Sequence, residues 1–123
     1  MMIRSIATAA AMLVVSIVGA NAQDVSGDPT RGQALMTEMQ CPRCHGTDGK
    51  GRSDTPGVPR IDGQYETYLI NQLFNFRDGR RPHRFMEAYA SRLDGQTVRD
   101  LAAFYACQGD ATAADMDRCA PVR

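Results

Sequence analysis

Two cysteines and a histidine are the residues of this sequence whose spacing could do chemistry. Cys41-Pro42-Arg43-Cys44-His45 sets two thiols three positions apart with an imidazole directly after the second. On a tight turn each thiol can add to one vinyl group of a haem, and the histidine then stands under the iron as its proximal ligand. A ligating imidazole normally donates its other ring N–H to a carbonyl that fixes the ring. Half a zinc site would need a second ligand pair, and Cys107 and Cys119, the other cysteines, are separated by eleven residues rather than two. A thioredoxin-like redox pair expects a βαβ setting, and the sequence has no strand pattern. The motif therefore predicts one covalently attached haem c per chain, held by Cys41, Cys44 and His45.

The elements that must position this motif are short helices. Asp28-Pro29 opens the first, because an aspartate N-cap accepts from early backbone amides and proline suits the first helical position; it should run to about Met39 or Gln40. From Cys41 to Gly63 the glycines and prolines predict a long, irregular loop, a length that usually wraps something. Tyr65, Leu69, Leu73 and Phe76 then recur at helical spacing from about Gln64 to Arg77, with Gly79 as a stop. A short helical piece should follow Met86. A last helix starts near Asp94, carries Val98, Leu101, Ala102 and Tyr105 on one face, and ends at Gln108-Gly109.

The chain has 123 residues, which points to one domain. Arg4, an apolar run to Val18 and the small-x-small triplet Ala20-Asn21-Ala22 read as a secretory signal over residues 1–22, cleaved before Gln23. The run is short for a membrane span, which needs about 20 apolar residues. Residues 23–123 then form the working domain, periplasmic and without a membrane span, with 107–123 as a C-terminal tail. Losing Arg4 takes fourteen basic residues to thirteen against fourteen acidic ones, and a near-neutral chain argues against nucleic acid as a partner. Arg77, Arg80, Arg81 and Arg84 nonetheless crowd together around His83, either as a solvated loop or as a positive patch that steers an acidic partner. A domain this small is short of apolar core, which a buried macrocycle would supply.

These residues resemble the class I cytochromes c, and among them the bacterial cytochrome c4 and c553-like group. The stretches that carry the resemblance are Cys41-Pro-Arg-Cys-His-Gly-Thr-Asp-Gly-Lys-Gly51, Val58-Pro-Arg-Ile-Asp-Gly-Gln64, Tyr68-Leu-Ile-Asn-Gln-Leu-Phe-Asn-Phe-Arg-Asp-Gly-Arg80 and Met86 to Tyr105. The resemblance implies an all-α class I cytochrome c fold: three to five short helices and a long loop around one haem, the first and last helices crossing beside it. It also implies a methionine as the second axial ligand, and Met86 is the position that matches. His83, three residues earlier, is the chemical competitor; Met36 and Met39 fall on the first helix as core residues, and Met116 sits in the tail. By the same match Pro59 packs near the proximal histidine, and Arg60 and Gln64 contact the haem propionates. Gly32 lets an aromatic such as Phe104 or Tyr105 approach the first helix. Cys107 and Cys119 fall beyond the family pattern; in an oxidising compartment two such thiols favour a disulfide, with free thiols or an intermolecular bond as alternatives.

Two protein ligands beside the four ring nitrogens leave iron no open position, so the expected function is single-electron transfer rather than enzymatic turnover. A dehydrogenase would be the donor and an oxidase or reductase the acceptor. The competing readings are a haem enzyme or gas-binding cytochrome with an open distal iron, and a fixed cytochrome subunit of a larger oxidoreductase.

Overall fold

Helix α1 (Pro29–Glu38) starts where its cap dictates: the Asp28 carboxylate accepts from the amides of Thr30 and Arg31 at 2.9 and 3.2 Å, and Pro29 occupies the first helical position. The structure, a computed structural model, describes residues 26–109 and 119–122. The expected signal segment and Met116 lie outside them. Gln40 adopts a left-handed backbone (φ 62°) that ends the run and turns the chain into α2 (Pro42–His45). This single turn of helix stands inside a segment expected to be irregular. It forms because Pro42 presets the first helical φ, and the amides of His45 and Gly46 find the Cys41 and Pro42 carbonyls at 3.1 Å each.

Helix α3 (Glu66–Arg77) ends at Asp78 and is closed by Gly79 at φ 71°. Leu69 and Phe76 face inward and Leu73 is half-buried. Tyr65, expected on that face, is 80% exposed, because it precedes the first helical turn and its side chain therefore falls outside the periodic face. Helix α4 (Arg84–Ala90) begins before Met86 and contains it, so the helical piece expected after that residue starts two positions ahead of it. Helix α5 (Gly95–Ala106) opens at Asp94, whose carboxylate accepts from the Thr97 amide at 2.7 Å. A 3-10 turn at Ala120–Val122 follows, and no strand occurs among the described residues.

The first and last helices pack directly on one another, α3 lies against both α5 and α4, and Val98, Leu101, Phe104 and Tyr105 fill the space between. Gly32 makes the crossing possible. A Cβ there would overlap the Asp100 carbonyl oxygen and lie 2.8 Å from the Phe104 Cβ. Asp100, 0% exposed, then locks the two helices together: one carboxylate oxygen accepts from the Asp28 amide and the Gln96 side-chain amide, both at 2.8 Å, and the other faces the Arg31 guanidinium at 3.3 Å. Past α5, a disulfide joins Cys107 to Cys119 and holds Val122 in the core. No helix among the described residues is long and apolar enough to cross a membrane.

Candidate functional site

Cys41 is both the last residue of the α1 turn and the cap of α2, so the turn that ends α1 also delivers the two thiols. Neither is oxidised, and both are half-buried. Burial pushes the Cys41 thiol up to about 11, against the opposing pull of its own backbone and of the Arg92 charge.

His45 follows on the same turn and is 9% exposed. Its Nδ1 lies 3.1 Å from the Pro59 carbonyl. A carbonyl can only accept, so Nδ1 carries the proton and Nε2 keeps its lone pair. Among the described residues nothing hydrogen-bonds Nε2. Burial pulls the His45 pKa down, and the Pro59 contact opposes this more weakly. The result is a neutral imidazole, its ring fixed from behind and its other nitrogen available to a metal. Pro59 itself is held in a loop that closes on the core, where the Ile61 amide bonds the Gly49 carbonyl at 2.8 Å and the Gly63 amide bonds the Tyr105 carbonyl at 2.9 Å.

The core against which Cys41 packs is bordered by apolar walls that are incompletely covered. Leu35, Met39, Ile61, Ile70, Leu73 and Phe74 pack on the buried core while remaining only half-buried themselves, and Met86 does the same from the first turn of α4. Tyr105 is nearby, its ring 2.8 Å from where a Gly49 Cβ would stand. Its hydroxyl is buried without a hydrogen-bond partner among the described residues. Burial also drives its pKa upward. An unpartnered buried hydroxyl costs free energy, and a large flat apolar group carrying polar substituents would both cover the walls and satisfy it. Two free thiols, a neutral imidazole and these walls fit a haem. No three His, Cys, Asp or Glu side chains gather into a metal cluster among the described residues.

The structure brings Cys41, Cys44, His45 and Pro59 together but leaves other expected contacts with their own neighbours. The Arg60 guanidinium is bound to the Asp62 carboxylate at 2.8 Å, which lowers the Asp62 pKa. The Gln64 side-chain oxygen accepts from the Tyr65 amide at 2.9 Å. His83 is exposed and caps α4 with its Nδ1. Tyr105 was legible in sequence only as a core residue, because nothing in the helical period distinguishes a hydroxyl with a partner from one without.

A family model described as cytochrome c matches residues 29–105. The chain belongs to the cytochrome c family. It is a c4-like class I member with the corresponding helical fold, and cytochromes of this type carry haem c covalently. Cytochrome c4 of Pseudomonas aeruginosa is 37% identical over 83 residues, which are 68% of this chain and 39% of that one. A solved cytochrome c4 from Acidithiobacillus ferrooxidans superposes with a TM-score of 0.58 at 32% identity, covering 66% of this chain and 49% of that one. The cytochrome subunit of sulfide dehydrogenase of Chlorobaculum tepidum is 30% identical over 76 residues, 62% of this chain and 64% of that one. The chain therefore spans between two fifths and two thirds of the length of these relatives.

Proposed function

We propose that this chain is an exported, single-haem electron carrier of the periplasm, with Cys41 and Cys44 as the thioether positions and His45 and Met86 as the axial ligands of one haem c. The observation that carries this reading is the 3.1 Å contact from His45 Nδ1 to the Pro59 carbonyl, which fixes the tautomer with Nε2 free and holds the ring still. When bound, the haem supplies one-electron exchange between ferric and ferrous iron. The protein's part is to hold that group with little rearrangement: α2 anchors it at two points, the Pro59 carbonyl orients the imidazole, and the half-buried apolar walls keep water from it. A thioether from Met86 favours the reduced state and so raises the potential.

The partners are redox proteins, a dehydrogenase on one side and an oxidase or reductase on the other. The docking rim lies on the Arg77 to Arg84 stretch beside α4. Asp78 pairs with Arg77 and Arg80, whereas Arg81 and Arg84 lie over the Phe76 and Phe85 rings without a carboxylate partner among the described residues. A fixed subunit of a larger oxidoreductase is the second reading. Favouring it are the similarity to a sulfide dehydrogenase cytochrome subunit and the exposed side chains of Tyr65, Tyr68 and Phe85.

The test is the visible and near-infrared spectrum of the holo-protein in both oxidation states, with and without Met86→Ala. A weak band at the red edge of the oxidised spectrum that disappears on substitution supports His45/Met86 ligation and the carrier. A high-spin wild-type spectrum that shifts with carbon monoxide or cyanide refutes it in favour of an open iron. Gel filtration of the native extract separates the two carrier readings, since a subunit elutes in fixed ratio with its enzyme.

A further inference from the structure

His83, the chemical competitor of Met86 as an iron ligand, has a local role in the structure. It is the N-cap of α4, in extended backbone (φ −162°, ψ 107°), and its Nδ1 lies 3.2 Å from the backbone nitrogen of Met86. An amide can only donate, so Nδ1 holds the lone pair and the ring proton is on Nε2. The contact is reciprocated one turn on: the Glu87 carboxylate accepts from the His83 amide at 2.5 Å, closing a two-way cap around the first turn. That turn contains Met86.

An imidazole is an unusual choice here. The caps of α1 and α5 are aspartates, and a carboxylate at position 83 would also accept from the Met86 amide. It could not stand edge-on against the buried ring of Phe76 on α3, as the His83 ring does at 6.0 Å and 69°. His83 thus fastens the start of α4 to α3 while bonding the backbone of Met86. With seven residues α4 has few internal hydrogen bonds, so the cap is a large share of what keeps its first turn wound.

We infer that His83 is a positioning residue for Met86: its cap holds the methionine in the turn from which the thioether reaches the iron, and so sets how readily that ligand is displaced. This rests on the reading of Met86 as the distal ligand. The experiment measures cyanide association with the oxidised holo-protein, together with the red-edge band and amide hydrogen exchange at Met86. The proteins are the wild type, His83→Ala, His83→Asn, Glu87→Gln and Met86→Ala. Loss of an N-cap corresponds to about a fivefold rise in the cyanide association constant of His83→Ala, with faster exchange at Met86. Asparagine is a good cap, so His83→Asn returns both to within about twofold of wild type. Glu87→Gln moves them in the same direction by less, and carries the test alone if His83→Ala does not fold with haem.

Cyanide affinity unchanged in His83→Ala, or raised in His83→Asn as much as in His83→Ala, overturns the inference. If Met86→Ala leaves the band in place, it is the ligand assignment that fails, whatever the His83 variants do.

Discussion

Gly32→Ala tests the crossing on which the site is built. The added methyl would overlap the Asp100 carbonyl oxygen and come within 2.8 Å of the Phe104 Cβ, where ordinary contact begins at 3.4 Å. The nearer obstacle is backbone in the middle of α5, which cannot move aside by changing rotamer, so the helices must separate. Separation strains the buried ties of Asp100 to the Asp28 amide and to Arg31. Overpacking of this kind costs about 1–3 kcal/mol, and the backbone obstacle places it at the upper end. Alanine returns about 1 kcal/mol through its better helix propensity. The net loss is about 2 kcal/mol, and for a domain near 100 residues that lowers the melting temperature by about 10 °C. Circular dichroism melts of the oxidised holo-proteins measure it. An unchanged or higher melting temperature would refute the reasoning, because helix propensity would then have outweighed the crossing.

Other perturbations probe the remaining parts. Replacing Cys107 and Cys119 together by Ala should lower stability by up to about 3 kcal/mol in denaturant titrations, the chain-entropy value for a loop this short, while leaving the haem spectrum unchanged. Arg81→Glu combined with Arg84→Glu should slow oxidation of the reduced protein by ferricyanide by roughly threefold or more at low ionic strength. The difference should shrink as salt is added; equal rates at low salt would remove those arginines from the docking rim. Replacing Cys41 and Cys44 by Ser should yield a chain with no cooperative melt, since the half-covered walls lose the group that closes them; a sharp thermal transition in that chain would count against the haem as part of the core.

Helix positions were legible wherever a cap and a period agreed. Asp28-Pro29 and Asp94 are local signals, because the groups they satisfy lie within the next turn, and the structure starts α1 and α5 at them. Tyr65 shows the limit: it continues the apolar period of α3 but precedes the helix, so periodicity assigned it a face the backbone does not present. The α2 turn was hidden in a loop rich in glycine and proline, and the structure places Met86 inside α4 rather than ahead of it.

What the sequence by itself determined is the spacing of the proposed attachment motif, because the relation among Cys41, Cys44 and His45 is carried by five consecutive residues and needs only one turn of backbone. Only the tertiary structure decided how that motif is held. Pro59 lies fourteen residues from His45, and the His45 Nδ1 reaches its carbonyl only after the loop closes on Tyr105. Asp100 lies seventy-two residues from Asp28, whose amide it accepts. His83 acts as a cap only through the fold, which brings its Nδ1 to the Met86 amide and sets its ring edge-on to Phe76. A hydrogen bond between distant residues depends on where the whole chain brings them, whereas a motif within one turn is fixed by the length of the backbone between its members.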